Sequence, residues 1–110
     1  MKIAIVGSRN IKNINLSEYI TEEYDEIISG GATGVDSCAA EYAGEKGIML
    51  TEFLPEYALY GRAAPIVRNK KIVDRADKII VFWDGVSKGT HSVIKYAQKC
   101  QKPLVIIMCK

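Results

Sequence analysis

Five short runs rich in isoleucine and valine recur along the chain: KIAIVG (2–7), DEIIS (25–29), IMLTEFL (48–54), KIIVFW (78–83) and PLVIIM (103–108). Runs this short and this continuously apolar suit strands covered on both faces, since a half-solvated strand alternates apolar with polar residues. Between them lie segments of helical period at 15–24, 34–46, 65–76 and 89–101. Strands alternating with helices imply βαβ units, a mostly parallel sheet and right-handed crossovers. The expected fold class is α/β, about five strands with helices on both faces. The 110 residues make one domain, long enough to bury a sheet core without staples.

The helical segments support this one by one. In 34–46 the residues Val35, Cys38, Ala39, Tyr42 and Ala43 follow the spacing of a single buried face, and small side chains dominate it. The third helix is expected to start at Pro65, where a missing N–H costs nothing. Its inward stripe reads Ile66, Asn69, Val73, Ala76, which sets a polar amide among apolar neighbours. The last helix buries Val93, Ile94 and Ala97, with Thr90 at the top of the same stripe.

Composition narrows the classes. Cys38, Cys100 and Cys109 are odd in number, widely spaced and in no CxxC or His-paired pattern, so neither a disulfide frame nor a metal site is expected, and a reducing cytoplasm is the natural setting. The opening MKIAIVGSRN is too short an apolar run for a signal peptide or a membrane span, so no membrane partner is expected. Fifteen basic against thirteen acidic residues leave +2, which argues against a protein held mainly by nucleic-acid phosphates. Arg62, Arg68, Lys70, Lys71 and Arg75 nevertheless cluster in mid-chain, the feature on which a weaker reading as a single-stranded DNA binder rests.

In an open α/β sheet, ligands bind outside the carboxyl ends of the strands, where the strand order reverses. Three turns fall there: GSRN (7–10) after the first strand, SGGATG (29–34) after the second and WDGVSKGT (83–90) after the fourth. Free N–H groups at a helix N-terminus attract anions, and glycines let a phosphate approach the backbone. The SGGATG turn offers Gly30, Gly31, Ala32 and Gly34; the later turn offers Gly85, Ser87, Lys88, Gly89 and Thr90. Either turn alone is most economically a tight turn into a helix, with Asp36 as the helix cap. Neither matches GxGxxG or a P-loop, and no cofactor motif is legible. Two glycine-rich helix starts on one sheet edge point to a phosphate or carboxylate cradle.

Other residues are placed to orient a ligand. Gly7, Ser8 and Arg9 end the first strand at the switch point, where an arginine can fork onto anionic oxygens. Asn69 must find hydrogen-bond partners, because an unpaired buried amide costs about 1–3 kcal/mol. Arg68 lies about 100° round the same helix. Trp83, Tyr57 and Tyr60 could stack on a base, though core or rim packing is the commoner role, and His91 is expected to face solvent. Asp36 and Asp84 are the acidic groups near the crevice, either suited to act as a general base or to bind ribose hydroxyls.

The segments GSR, SGGATGVDSCAAEYA, YGRAAPIVRNKKIVDRAD and FWDGVSKGTHSVIKYA, in that order, resemble the SLOG superfamily, which joins DNA-processing protein A (Smf) with the LOG phosphoribohydrolases. The closest likeness is to its small, stand-alone bacterial and phage members. The resemblance implies a Rossmann-like three-layer sandwich with strand order 3-2-1-4-5, a nucleotide or nucleotide-derived ligand at Gly30, Gly31, Gly34 and the Ser87–Thr90 turn, a role for Arg68 and Asn69, and a homodimer. LOG enzymes carry PGGxGTxxE after the fourth strand, with a glutamate that takes part in cleaving the N-glycosidic bond. Here DGVSKGTHSV keeps Gly89 and Thr90, but Asp84 replaces the proline, Ser87 stands near the second glycine's place and Val93 replaces the glutamate. The leading expectation is a nucleotide-binding module; a LOG-type hydrolase with altered catalytic residues, Asp36 or Asp84 among them, is the alternative.

Overall fold

The computed structural model describes residues 1–109. Strands β1 (Lys2–Gly7), β2 (Glu26–Ser29), β3 (Met49–Glu52), β4 (Lys78–Trp83) and β5 (Leu104–Met108) form one sheet in the order β3-β2-β1-β4-β5. Every neighbouring pair is parallel, as the strand–helix alternation requires. The helices are α1 (Val35–Lys46), the single turn α2 (Tyr57–Tyr60), α3 (Ala64–Arg75) and α4 (Lys88–Lys99). No helix among the described residues is long and apolar enough to cross a membrane.

The central strands are apolar throughout because both faces are covered. Ile3, Ile5, Ile27, Ile80 and Phe82 point to one face, where Val35, Ala39 and Ala43 of α1 pack on them. Ala4, Val6, Ile28, Ile79 and Val81 point to the other, under Ile72, Val73 and Ala76 at α3 and Val93, Ile94 and Ala97 of α4. Full burial of each such isoleucine or valine is worth roughly 1.5–3 kcal/mol, so the two layers together supply most of what holds the sheet. One ion pair ties the sheet to the C-terminal end of α3: buried Glu26 of β2 accepts from Arg75 Nε at 2.5 Å and from Arg75 Nη2 at 3.0 Å.

Two expectations need correction, and one element lies outside them. The helix expected at 15–24 is a single 3-10 turn, Leu16–Glu18. Leu16, Ile20 and Tyr24 are buried beside α1, as their four-residue spacing suggested, but the chain brings them there without a helix. Nothing holds a helix start: the Asn15 side chain bonds to Glu18 at 3.4 Å instead of capping a backbone N–H. In α3, Ile66 is 51% exposed, while Ile72, outside the expected stripe, is buried beside Asn69 and Val73. The turn α2 was not expected and buries none of its residues.

The crossover from β2 to α1 depends on Gly34, at φ +74°, where a Cβ would lie 2.5 Å from the Arg9 carbonyl oxygen. Gly44, inside α1, has nothing within 4 Å of a built Cβ. Gly34→Ala should therefore cost at least about 2 kcal/mol, while Gly44→Ala should gain up to about 1 kcal/mol from helix propensity. Urea midpoints of the two variants, moving in opposite directions, check the account of this turn.

Candidate functional site

The exits of β1, β2 and β4 and the first turns of α3 enclose a cavity of about 480 Å³. From the β1 exit come Val6, Gly7, Ser8, Arg9 and Asn10; from the β2–α1 turn, Ala32 and Asp36. Pro65, Arg68, Asn69 and Ile72 of α3 form one wall, and Asp84, Ser87, Gly89, Thr90 and Val93 form the side made by β4 and α4. The three turns thus meet at one place, the topological switch point.

Eleven of the residues singled out in sequence line this cavity: Gly7, Ser8, Arg9, Ala32, Asp36, Arg68, Asn69, Asp84, Ser87, Gly89 and Thr90. Gly30, Gly31, Gly34, Gly85 and Lys88 do not, and their work lies behind the wall. A Cβ at Gly30 would sit 2.8 Å from Arg68 Nη1 and 3.0 Å from Asp36 Oδ2, so glycine there makes room for both charged groups. Gly31 abuts Leu54, Gly34 abuts the β1 exit and Gly85 turns the chain beside Met108. Lys88 is exposed at the start of α4.

Val6, Asn10, Pro65 and Ile72 also line the cavity, though none is a sequence candidate for ligand binding, as does Val93, which stands at the LOG glutamate position. Asn10 had a signal, since it closes the GSRN turn. Val6 and Ile72 read as core and Pro65 as a helix start, and such residues carry no mark in sequence of facing a cavity.

Two hydrogen-bonded chains hold the wall in shape. Arg68 donates from Nε to Asn69 Oδ1 at 2.9 Å and from Nη1 to the Gly30 carbonyl at 3.0 Å. Asn69 in turn donates from Nδ2 to the Gly89 carbonyl at 3.4 Å, which ties α3 to the first turn of α4 and satisfies the buried amide. Across the cavity floor, buried Ser8 and Thr90 bring their hydroxyls to 3.4 Å, and the Asp84 N–H donates to Ser8 Oγ at 3.4 Å. Burial lowers the Arg68 guanidinium from its ordinary value, and the neighbouring Asp36 charge opposes that shift.

The two carboxylates behave differently. Asp84 Oδ1 accepts from the N–H groups of Val86 (2.9 Å) and Ser87 (2.8 Å), and Oδ2 accepts from Ser87 Oγ at 2.6 Å. Those bonds, led by the Ser87 hydroxyl, hold its carboxyl down to about 2. It shapes the turn into α4 and is a poor base. Asp36 is not the cap of α1; Gly34 holds that position. Asp36, in the first turn, reaches back so that Oδ2 accepts from the Ala32 N–H at 3.0 Å. Burial raises its carboxyl above the ordinary value, with Glu52 adding to the rise and the Ala32 N–H, Arg68 and Arg9 opposing it.

Chemically the cavity offers two guanidinium groups, Arg9 and Arg68, three hydroxyls, Ser8, Ser87 and Thr90, and the unpaired amides that every helix start presents, all of which suit an anion. The aromatic candidates stand elsewhere. Trp83 donates its indole N–H to the Ser87 carbonyl at 3.1 Å and stacks on exposed His91 with centroids 5.3 Å apart, and Tyr57 and Tyr60 are exposed on α2. The mid-chain basic cluster is dispersed: Arg75 pairs with Glu26, Lys71 with Glu56 at 2.8 Å, Lys70 lies over the Tyr96 ring and Arg68 turns to the cavity.

A carboxyl depressed to about 2 contributes stability that is present above the unfolded carboxyl value near 4 and is lost as pH falls toward 2. Asp84→Ala, which removes the acceptor of the Val86 and Ser87 N–H groups, should therefore lower Tm at pH 7. The gap to the parent protein should narrow below pH 4 and close near pH 2, as thermal melts followed by circular dichroism would show.

The chain matches no protein-family model and no curated protein.

Proposed function

We propose that the protein binds a nucleotide or nucleotide-derived anion in the cavity at the carboxyl edge of β1, β2 and β4. The observation that carries this is the convergence of Arg9, Arg68 and the first turns of α1 and α4 on one cavity of about 480 Å³, within the range of roughly 300–1,000 Å³ usual for small-molecule sites. The resemblance to the SLOG superfamily supports the same ligand class and a homodimer, for which light scattering should give twice the chain's mass. Val93 lines the cavity where the LOG glutamate is expected, an aliphatic group that cannot take part in proton transfer. Binding without glycosidic cleavage is accordingly the favoured reading.

A hydrolytic second reading draws on Asp36, the carboxylate that burial pushes toward the range of a general base. Release of free base from nucleoside monophosphates would establish it, and the binding reading expects none.

Isothermal titration with AMP, sugar nucleotides and cyclic dinucleotides tests the binding reading. At least one should bind, and Arg68→Ala should weaken it by about 10- to 100-fold, the worth of hydrogen bonds to a charged group. Failure of every anionic nucleotide to bind or stabilise the protein would overturn it.

A further inference from the structure

Asp36 is 6% exposed and lines the cavity, yet its two oxygens are treated unequally. Oδ2 accepts from the Ala32 N–H at 3.0 Å. Oδ1 is the one buried side-chain nitrogen or oxygen among the described residues that has no hydrogen-bond partner. The other buried polar side chains of the cavity, Ser8, Asn69 and Thr90, are all bonded. Native folds rarely leave such an atom unpaired, and a carboxylate suffers more from it than a neutral group.

The protein has a cation close by and does not use it to satisfy this oxygen. Arg68 and Asp36 border the same Gly30 position, but Arg68 gives its Nε and Nη1 protons to Asn69 and Gly30. No ion pair joins Arg68 to Asp36 among the described residues. Arg68 thus keeps further N–H donors for an anion, and Asp36 keeps an acceptor for a donor.

A bare oxyanion serves one half of this arrangement and opposes the other. Its oxygens suit Arg68 and Arg9, but its charge is repelled by Asp36. A hydroxyl beside the anionic group supplies what Oδ1 lacks, a donor into a charge-assisted O–H···O⁻ bond. The cavity has space for it: about 480 Å³ is many times the roughly 30 Å³ that one water occupies, far more than a phosphate ion fills. Resting on the anion-binding reading above, we propose that Asp36 is the hydroxyl-recognising residue of the cavity and that its ligand is a sugar phosphate, held by its phosphate on the arginines and by a sugar hydroxyl on Asp36.

The test is isothermal titration of the full chain with ribose 5-phosphate, inorganic phosphate and AMP, for the parent protein and for Asp36→Ala and Asp36→Asn, with thermal melts to show that each is folded. The parent protein should bind ribose 5-phosphate at least tenfold more tightly than phosphate. In Asp36→Ala, ribose 5-phosphate should weaken at least tenfold while phosphate binds as well or better, because a repelling charge has gone. Asp36→Asn can still accept from Ala32, so it reads the same point should the alanine variant not fold: phosphate should tighten and the sugar preference should shrink several-fold. Equal affinity of the parent protein for phosphate and ribose 5-phosphate, or equal weakening of both in the variants, overturns the role of Asp36 while leaving the anion site standing. If neither probe nor AMP binds the parent protein, the anion-binding reading itself falls and this inference with it.

Discussion

The parallel pairing of β1 with β2 on one side and β4 on the other governs this molecule. The β2–β3 crossover carries α1 on one face, and the two crossovers that follow carry α3 and α4 on the opposite face. Helices that leave the same sheet edge for opposite faces separate, and a crevice opens between them where the strand order turns. Close packing on one side keeps that crevice narrow. A Cβ at Gly7 would lie 2.5 Å from Val35 Cγ2, so α1 is pressed against the β1 exit and its first turn reaches the cavity.

Within that frame the two glycine-rich turns, alike in sequence, are finished differently. The turn into α4 carries its own anion: Asp84 occupies the N–H groups of Val86 and Ser87, and Trp83 closes the outside of the turn on the Ser87 carbonyl. The turn into α1 has no such plug. Asp36 bends away to Ala32, and Arg68 reaches over Gly30 from α3. The electrostatic asymmetry of the cavity comes from this contrast, with a satisfied carboxylate on one side and an unsatisfied one beside a guanidinium on the other.

How much of this was legible follows from what each residue reports. The β-branched runs at 2–7 and 78–83 coincide with β1 and β4 because a strand buried on both faces leaves no alternation to misread. Asn69 announced itself as a polar residue in an apolar stripe, and it is a tie between α3 and α4. Its partner was not legible, since the link to Gly89 spans twenty residues and depends on how two helices meet. The segment 15–24 misled because a four-residue apolar spacing reports which side chains share a face and not whether the backbone between them is helical. The basic residues of α3 looked like a patch until the fold set carboxylates from β2 and the β3–α3 connection beside two of them. Capping is the commonest use of an aspartate at a helix start, which is why sequence assigns that role to Asp36, and the positive φ of Gly34 at the cap position does not show in sequence.

The central claim is that the crevice at the β1 switch point is where an anionic nucleotide binds. Amide chemical-shift mapping by ¹H–¹⁵N NMR during titration with AMP tests it most directly. The largest shifts should fall on Ser8, Arg9, Ala32, Asp36, Asn69, Gly89 and Thr90, from four separate stretches of chain that share this one cavity. Shifts centred instead on the second, smaller pocket, around Tyr19–Tyr24 and Val105, or no shifts at all at saturating AMP, would contradict it.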